Sequence, residues 1–364
     1  MTDARTDDWG LLPEDDQFHP PETDDPWWTE TVWFSWMVPE RNLLGYFYPA
    51  FRANMGIQFG GVLVVDDTAV VPWELPAFEW SWHEPLDTPP DLLDTTNLHG
   101  GMRLRCLEPG RVFRFGCEND DLAFDLTFEA VCRPLLTRQE PPFNHGAHID
   151  QPGHVTGRFT LHGEQMDVDC IAMRDRSWGV RRAGRQPKVG YDHGTASGDD
   201  GFLSISVDRR GDDRIGLGYL LRDGVWSNLV EGHRAVVRDA EHRPARIEIE
   251  AVDELGRALR ATGRPVSRCV FNAYPHMFCW TSLTEWDVDG VPCWGEDQDV
   301  WHPGRWRRFV LVLAEIGILG RGFELVHHGP AATPVRHAVI VQRHANGRLA
   351  RTKDTSHGRL LLVC

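Results

Sequence analysis

The chain has 364 residues, with 38 Lys and Arg against 54 Asp and Glu, a formal net charge of −16. Hydrophobic residues at 41% and charged residues at 25% make a globular composition, with apolar material for one large core or two ordinary ones. An acidic chain without a basic cluster excludes general nucleic-acid or anionic-membrane binding, and no apolar run of about 18 residues is present to span a bilayer.

The first 25 residues carry nine acids and one base, Arg5. They lack a basic start followed by an apolar stretch, so no secretory signal is read. Residues 1–28 are expected to be a solvated, mobile acidic leader. The expected address is the cytoplasm. It agrees with eight cysteines that show no zinc-knuckle spacing and read as reduced, buried thiols.

From residue 29 the dominant period is two. One turn of helix is expected within 38–48. Leu122, Phe124, Leu126 and Phe128 alternate with Asp125, Thr127 and Glu129, the pattern of a half-buried strand. Similar alternation appears at Met102–Cys106, Phe113–Cys117, Met166–Cys170, Leu203–Val207 and Ile247–Ala251. Turn signals such as Glu108-Pro109-Gly110, His162-Gly163-Glu164 and Asp289-Gly290 separate these runs. Short strands with tight turns predict an all-β meander, sandwich or barrel. Alternation stops between Arg181 and Gly201, which reads as the passage between an N-terminal module, 29–182, and a C-terminal module, 200–305. The tail, 309–364, is more basic, and Val310–Ile318 could be a strand or a short buried helix. The 15 Trp and 17 Phe fill cores or line an apolar cavity, and Trp80 and Trp82 share one strand face.

Two strings could carry chemistry. In Arg174-Asp175-Arg176-Ser177-Trp178-Gly179 an acid lies between two arginines. If they face it, its pKa is lowered; if they turn away, the way is open for a raised one. In His145-Gly146-Ala147-His148-Ile149-Asp150-Gln151, His148 and Asp150 share a face of an extended strand. With His145 they could form a metal face, so a metal-dependent enzyme stays open as one reading. No dinucleotide fingerprint or Gly-x-Ser-x-Gly elbow is present.

The block from His148 to Gly157 and then Met173 to Arg181 resembles the carotenoid 1,2-hydratase-like, or AttH-like, proteins. In that group Arg-Asp-His-x-Trp-Gly marks the junction of tandem lipocalin-like domains. Arg176 stands here where the group usually has His. The resemblance implies an all-β fold of two tandem lipocalin-like β-barrel modules, with a ligand site near their interface. It also implies cofactor-free hydration or cyclisation of a hydrophobic isoprenoid- or polyketide-like substrate.

Such chemistry needs a buried, protonated carboxylic acid and aromatic faces for a tertiary cation. Asp175 and Asp150 are the candidate acids, with Asp287 as an alternative, and His148 orients them. Trp178 is expected to form a pocket wall. Arg174, Arg176, Gln151, Trp80 and Trp82 are expected to contact substrate. No cofactor or resident metal is required on this reading, and the partner is a hydrophobic small molecule. The alternative is a carrier that holds such a ligand unchanged.

Overall fold

The computed structural model describes residues 9–95, 98–139, 146–181, 187–208, 211–274, 276–319, 323–325, 340–343 and 349–350. The chain divides into two compact units, Met1–Pro303 and Gly304–Cys364.

The first unit holds two β modules. An eleven-stranded antiparallel sheet is built from β1 (Trp28–Val38), β2 (Leu43–Arg52), β3 (Ile57–Val65), β4 (Ala77–Pro85), β5 (Asp94–Thr95), β6 (Arg103–Glu108), β7 (Val112–Glu118), β8 (Leu122–Ala130), β9 (Leu135–Arg138), β10 (Ala147–Leu161) and β11 (Glu164–Val180). The order is β4-β3-β2-β1-β11-β10-β8-β7-β6-β5, with β9 also on β10. A closed barrel follows: β12 (Val189–Thr195), β13 (Gly201–Asp208), β14 (Asp213–Arg222), β15 (Val225–Arg238), β16 (Pro244–Asp253), β17 (Ala258–Tyr274), β18 (Met277–Val288) and β19 (Val291–Trp301). The predicted fold class is therefore present, with one module an open, curled sheet and the other a closed barrel. The predicted turn within 38–48 is a single 3₁₀ turn, Pro39–Arg41.

The period-two signal works as read. Along β8, residues 122, 124, 126 and 128 are buried while Asp125 and Glu129 are exposed. The sheet curls over its own aromatic core, where the Phe34 ring lies 4.7 Å from Phe115, 5.6 Å from Phe113 and 5.5 Å from Phe128. Phe128 is admitted by Gly153, where a Cβ would come within 2.2 Å of the ring.

The barrel has a buried apolar cluster of its own. Phe202, Ile247, Ile249 and Trp286 belong to it. A buried Arg234 binds Asp192 at 2.8 Å and Asp299 at 3.1 Å, and also pairs with Asp297. The hydrophobic core continues across the seam between modules, joining Trp33 and Tyr46 to Tyr191, Leu203, Phe271 and Leu283.

Described by itself, the second unit carries most of α1 (Pro303–Leu319) and a small sheet of β20 (Phe323–Leu325), β21 (Ile340–Arg343) and β22 (Leu349–Ala350). Val310–Ile318, open between strand and helix on sequence, is helical. Pro303 suits the first turn, where a missing N–H costs nothing. Among the described residues no helix is long and apolar enough to cross a membrane.

Candidate active site at the seam

The strand pleat determines which candidates meet. β11 lies between β1 and β10, and Asp175 pairs in register with Trp33 on one side and Asp150 on the other. Side chains alternate faces, so Asp175 points toward the barrel while Arg174 and Arg176 point the opposite way. Both arginines are buried and engaged there. Arg174 donates to Gln151 Oε1 at 2.7 Å and to Asp16 Oδ1 at 2.8 Å, with its guanidinium 4.3 Å over the Phe113 ring. Arg176 donates to the Asp15 carbonyl at 3.0 Å and to Glu30 at 2.5 Å. Arg174, Arg176 and Gln151, expected beside Asp175, are thus held on the opposite face of the sheet, away from the seam.

The same contacts correct the picture of a free leader. Asp15 and Asp16 are buried. Asp15 accepts from Arg138 at 2.8 Å, and Asp16 accepts from the Gly110 N–H at 2.6 Å. Three basic side chains at the sheet offer more attraction than solvent does, and residues 12–19 lie as a strap over them.

Trp178 is also displaced from its expected role. It packs with Trp28, Ala147 and Ile149, and its ring stacks on His19 at 3.7 Å. Asp287 is exposed and accepts from the Gly290 N–H in a turn, so it is no alternative acid. His145 lies outside the described residues.

Three predicted residues do come together. His148 Nε2 is 2.9 Å from Asp150 Oδ2, and His148 Nδ1 is 3.7 Å from Asp175 Oδ1. Asp150 also accepts from the Tyr191 hydroxyl at 2.8 Å. One donor atom from each of His148, Asp150 and Asp175 lies within 4.8 Å of the others, a set that could hold a cation.

Burial pushes the Asp175 carboxyl up to about 6 from 3.8, against the pull of His148 and Arg181 and with help from Asp150. Burial opposes charge on His148, but Asp150 and Asp175 outweigh it and raise its pKa. Burial and Asp150 keep Tyr191 a phenol, well above 10. Asp175 Oδ1 accepts no hydrogen bond from the described residues.

Asp175 opens on a cavity of about 150 Å³ between the sheet and the outer wall of the barrel. Trp33, Tyr46, Tyr48 and Trp80 line it from the sheet; Tyr191, Phe271, Tyr274, Met277 and Gln298 line it from the barrel, and Arg181 from the connection. Trp80 stacks on Tyr48 at 5.7 Å and meets Phe271 edge-on at 5.6 Å. Trp82 is not in the lining and touches Trp80 at 6.2 Å.

A second network crosses the seam in the reverse sense. Tyr46 of the sheet donates to Glu296 of the barrel at 2.6 Å, and Glu296 lies 3.3 Å from His193. Each module thus lends a tyrosine to a carboxylate–histidine pair on the other. The tyrosines, Arg181 and Gln298 were not picked out on sequence. One signal was available: the chain has only five Tyr beside 32 Trp and Phe, and four of the five line this cavity.

A family profile described as a domain of unknown function, DUF7064, matches residues 12–297. No protein of curated function matches the chain. Among solved structures, a protein of Nitrosomonas europaea provisionally assigned as AttH is similar, with 13% identity, a TM-score of 0.58, and coverage of 80% of this chain and 95% of that one. Kievitone hydratase from Nectria haematococca is similar at 12% identity and a TM-score of 0.47, over 75% of this chain and 89% of that one. The tandem fold implied by the Arg174–Gly179 motif is thus shared with the AttH-like group.

Proposed function

The chain belongs to the DUF7064 family, and from the acid at its seam we propose that it is a cofactor-independent, hydratase-like lyase. It acts on the unsaturated end of a hydrophobic isoprenoid- or polyketide-like molecule. The observation that carries this reading is Asp175, a carboxyl raised to about 6 that faces an aromatic cavity. At pH 7 about one Asp175 in ten then keeps its proton, against roughly one in a thousand for an ordinary aspartate.

Asp175 gives that proton to a carbon of the double bond. Trp33, Trp80 and Phe271 face the cation that forms, each ring contributing about 0.5–2 kcal/mol when water is excluded. Water adds to the cation, and the proton it releases restores the Asp175 acid. His148, held by Asp150, which Tyr191 fixes in turn, keeps a cation beside the Asp175 carboxylate while the intermediate lasts. The cavity has roughly the size that admits one benzene ring, so it takes one ring or prenyl unit rather than a whole polyene.

The test is turnover of a panel of terpenoid and prenylated alkenes in water enriched in oxygen-18. The expected result is a product carrying one labelled oxygen, formed by wild type and not by Asp175→Asn. Ligand bound and recovered unchanged across the panel would overturn the enzyme reading and make the protein a carrier.

A further inference from the structure

Within the cavity that the proposed reaction uses, one corner is polar without being acidic. Arg181 Nη1 donates to the Tyr274 hydroxyl at 3.3 Å, and the Tyr274 and Tyr48 hydroxyls lie 2.7 Å apart. All three residues line the cavity beside Asp175. Their donors can be counted. The arginine occupies one acceptor site on Tyr274, and the bond between the tyrosines uses one phenolic hydrogen, whichever of them donates. The other phenolic hydrogen has no partner among the described residues. The chain of donors starts at a cation, which polarises each hydroxyl after it and strengthens the last one as a donor.

A wall meant only for hydrocarbon would not hold these groups, because a buried hydroxyl left without an acceptor is costly. Phenylalanine would fill the same space at positions 48 and 274. We infer that Tyr48 and Tyr274, backed by Arg181, form a subsite for an acceptor oxygen of the substrate. The substrate is then an oxygenated molecule, with a ketone or similarly polarised oxygen on a ring-sized apolar group, and not a pure hydrocarbon. Its oxygen docks at the tyrosine pair while its apolar body lies against Trp33, Trp80 and Phe271. This inference rests on the proposed use of the cavity, but it concerns recognition and not proton transfer.

The test uses two probes of one shape, cyclohexanone and methylenecyclohexane, titrated into the full-length protein and followed by ligand-observed NMR. Wild type should bind the ketone about tenfold more tightly, the worth of one strengthened hydrogen bond. Tyr48→Phe/Tyr274→Phe should bring the ratio close to one while its melting curve stays cooperative. Asp175→Asn should keep the preference. Equal binding of the two probes by wild type, binding of neither, or an undiminished preference in the double variant would overturn the subsite. Such a failure beside intact labelled-water turnover leaves the acid reading standing. A preserved ketone preference without turnover does the reverse.

Discussion

Replacing Asp175 with Asn should stabilise the protein at alkaline pH while slowing turnover by orders of magnitude. The folded-state pKa is raised from 3.8 to about 6 by burial, so between those values the folded state holds more proton than the unfolded one. Stability from this group is therefore full below about pH 4 and is lost as pH rises through 6. Above pH 7 the cost of the buried charge is about two pK units, or about 3 kcal/mol. The side chain keeps 20% exposure, and screening brings the figure nearer 2 kcal/mol. Asparagine has the shape of the protonated acid and never pays this cost. Urea unfolding at pH 4.5, 6 and 8 should show the variant ahead of wild type by less than about 1 kcal/mol at the lowest pH and by about 2 kcal/mol at the highest. Its hydration rate should fall by about 10²–10⁴, the usual worth of a general acid. A variant no more stable than wild type at pH 8, with no growth of the gap between pH 4.5 and 8, would refute the argument.

Removing the strap's acid, Asp16→Ala, leaves Arg174 buried beside a neutral partner, and should cost about 3–5 kcal/mol by urea unfolding; a loss under about 1 kcal/mol would return the leader to solvent. Trp178→Leu should lower stability by about 2–4 kcal/mol without changing the ketone preference. Trp80→Leu should weaken binding of both cyclic probes with a smaller effect on melting, because this half-buried ring stands at the cavity. Exhaustive dialysis against EDTA should leave turnover unchanged, since His148 already sits between two carboxylates that neutralise it. A stoichiometric metal lost together with activity would instead make His148, Asp150 and Asp175 a metal centre.

The fold was legible because period-two alternation survives wherever one strand face is buried and the other wet, as in β8. It failed at β12, Val189–Thr195, inside the stretch read as a passage between modules. That strand is buried on both faces: Asp192 reaches Arg234 inside the barrel, while Tyr191 reaches Asp150 across the seam. Polar residues inside a doubly buried strand imitate a loop when read along the chain.

That His148, Asp150 and Asp175 meet was legible because all three lie within the motif block. The pleat assigned the neighbours of Asp175 differently from adjacency in sequence, turning Arg174 and Arg176 away and bringing in Trp33 and Tyr191. Residues from β2, β12, β17 and β19 come to the cavity only through the docking of two modules, which no local pattern records. The leader shows the same limit. Asp15 and Asp16 looked solvated because their partners, Arg138 and Arg174, are more than 100 residues away.

The account turns on a carboxyl that keeps its proton near neutrality at the seam of two β modules. Carbon-13 NMR titration of aspartate-labelled protein, with the Asp175 signal assigned by its loss in Asp175→Asn, measures this directly. The predicted midpoint is about 6; a midpoint below about 4.5, the range of ordinary carboxylates, would contradict it.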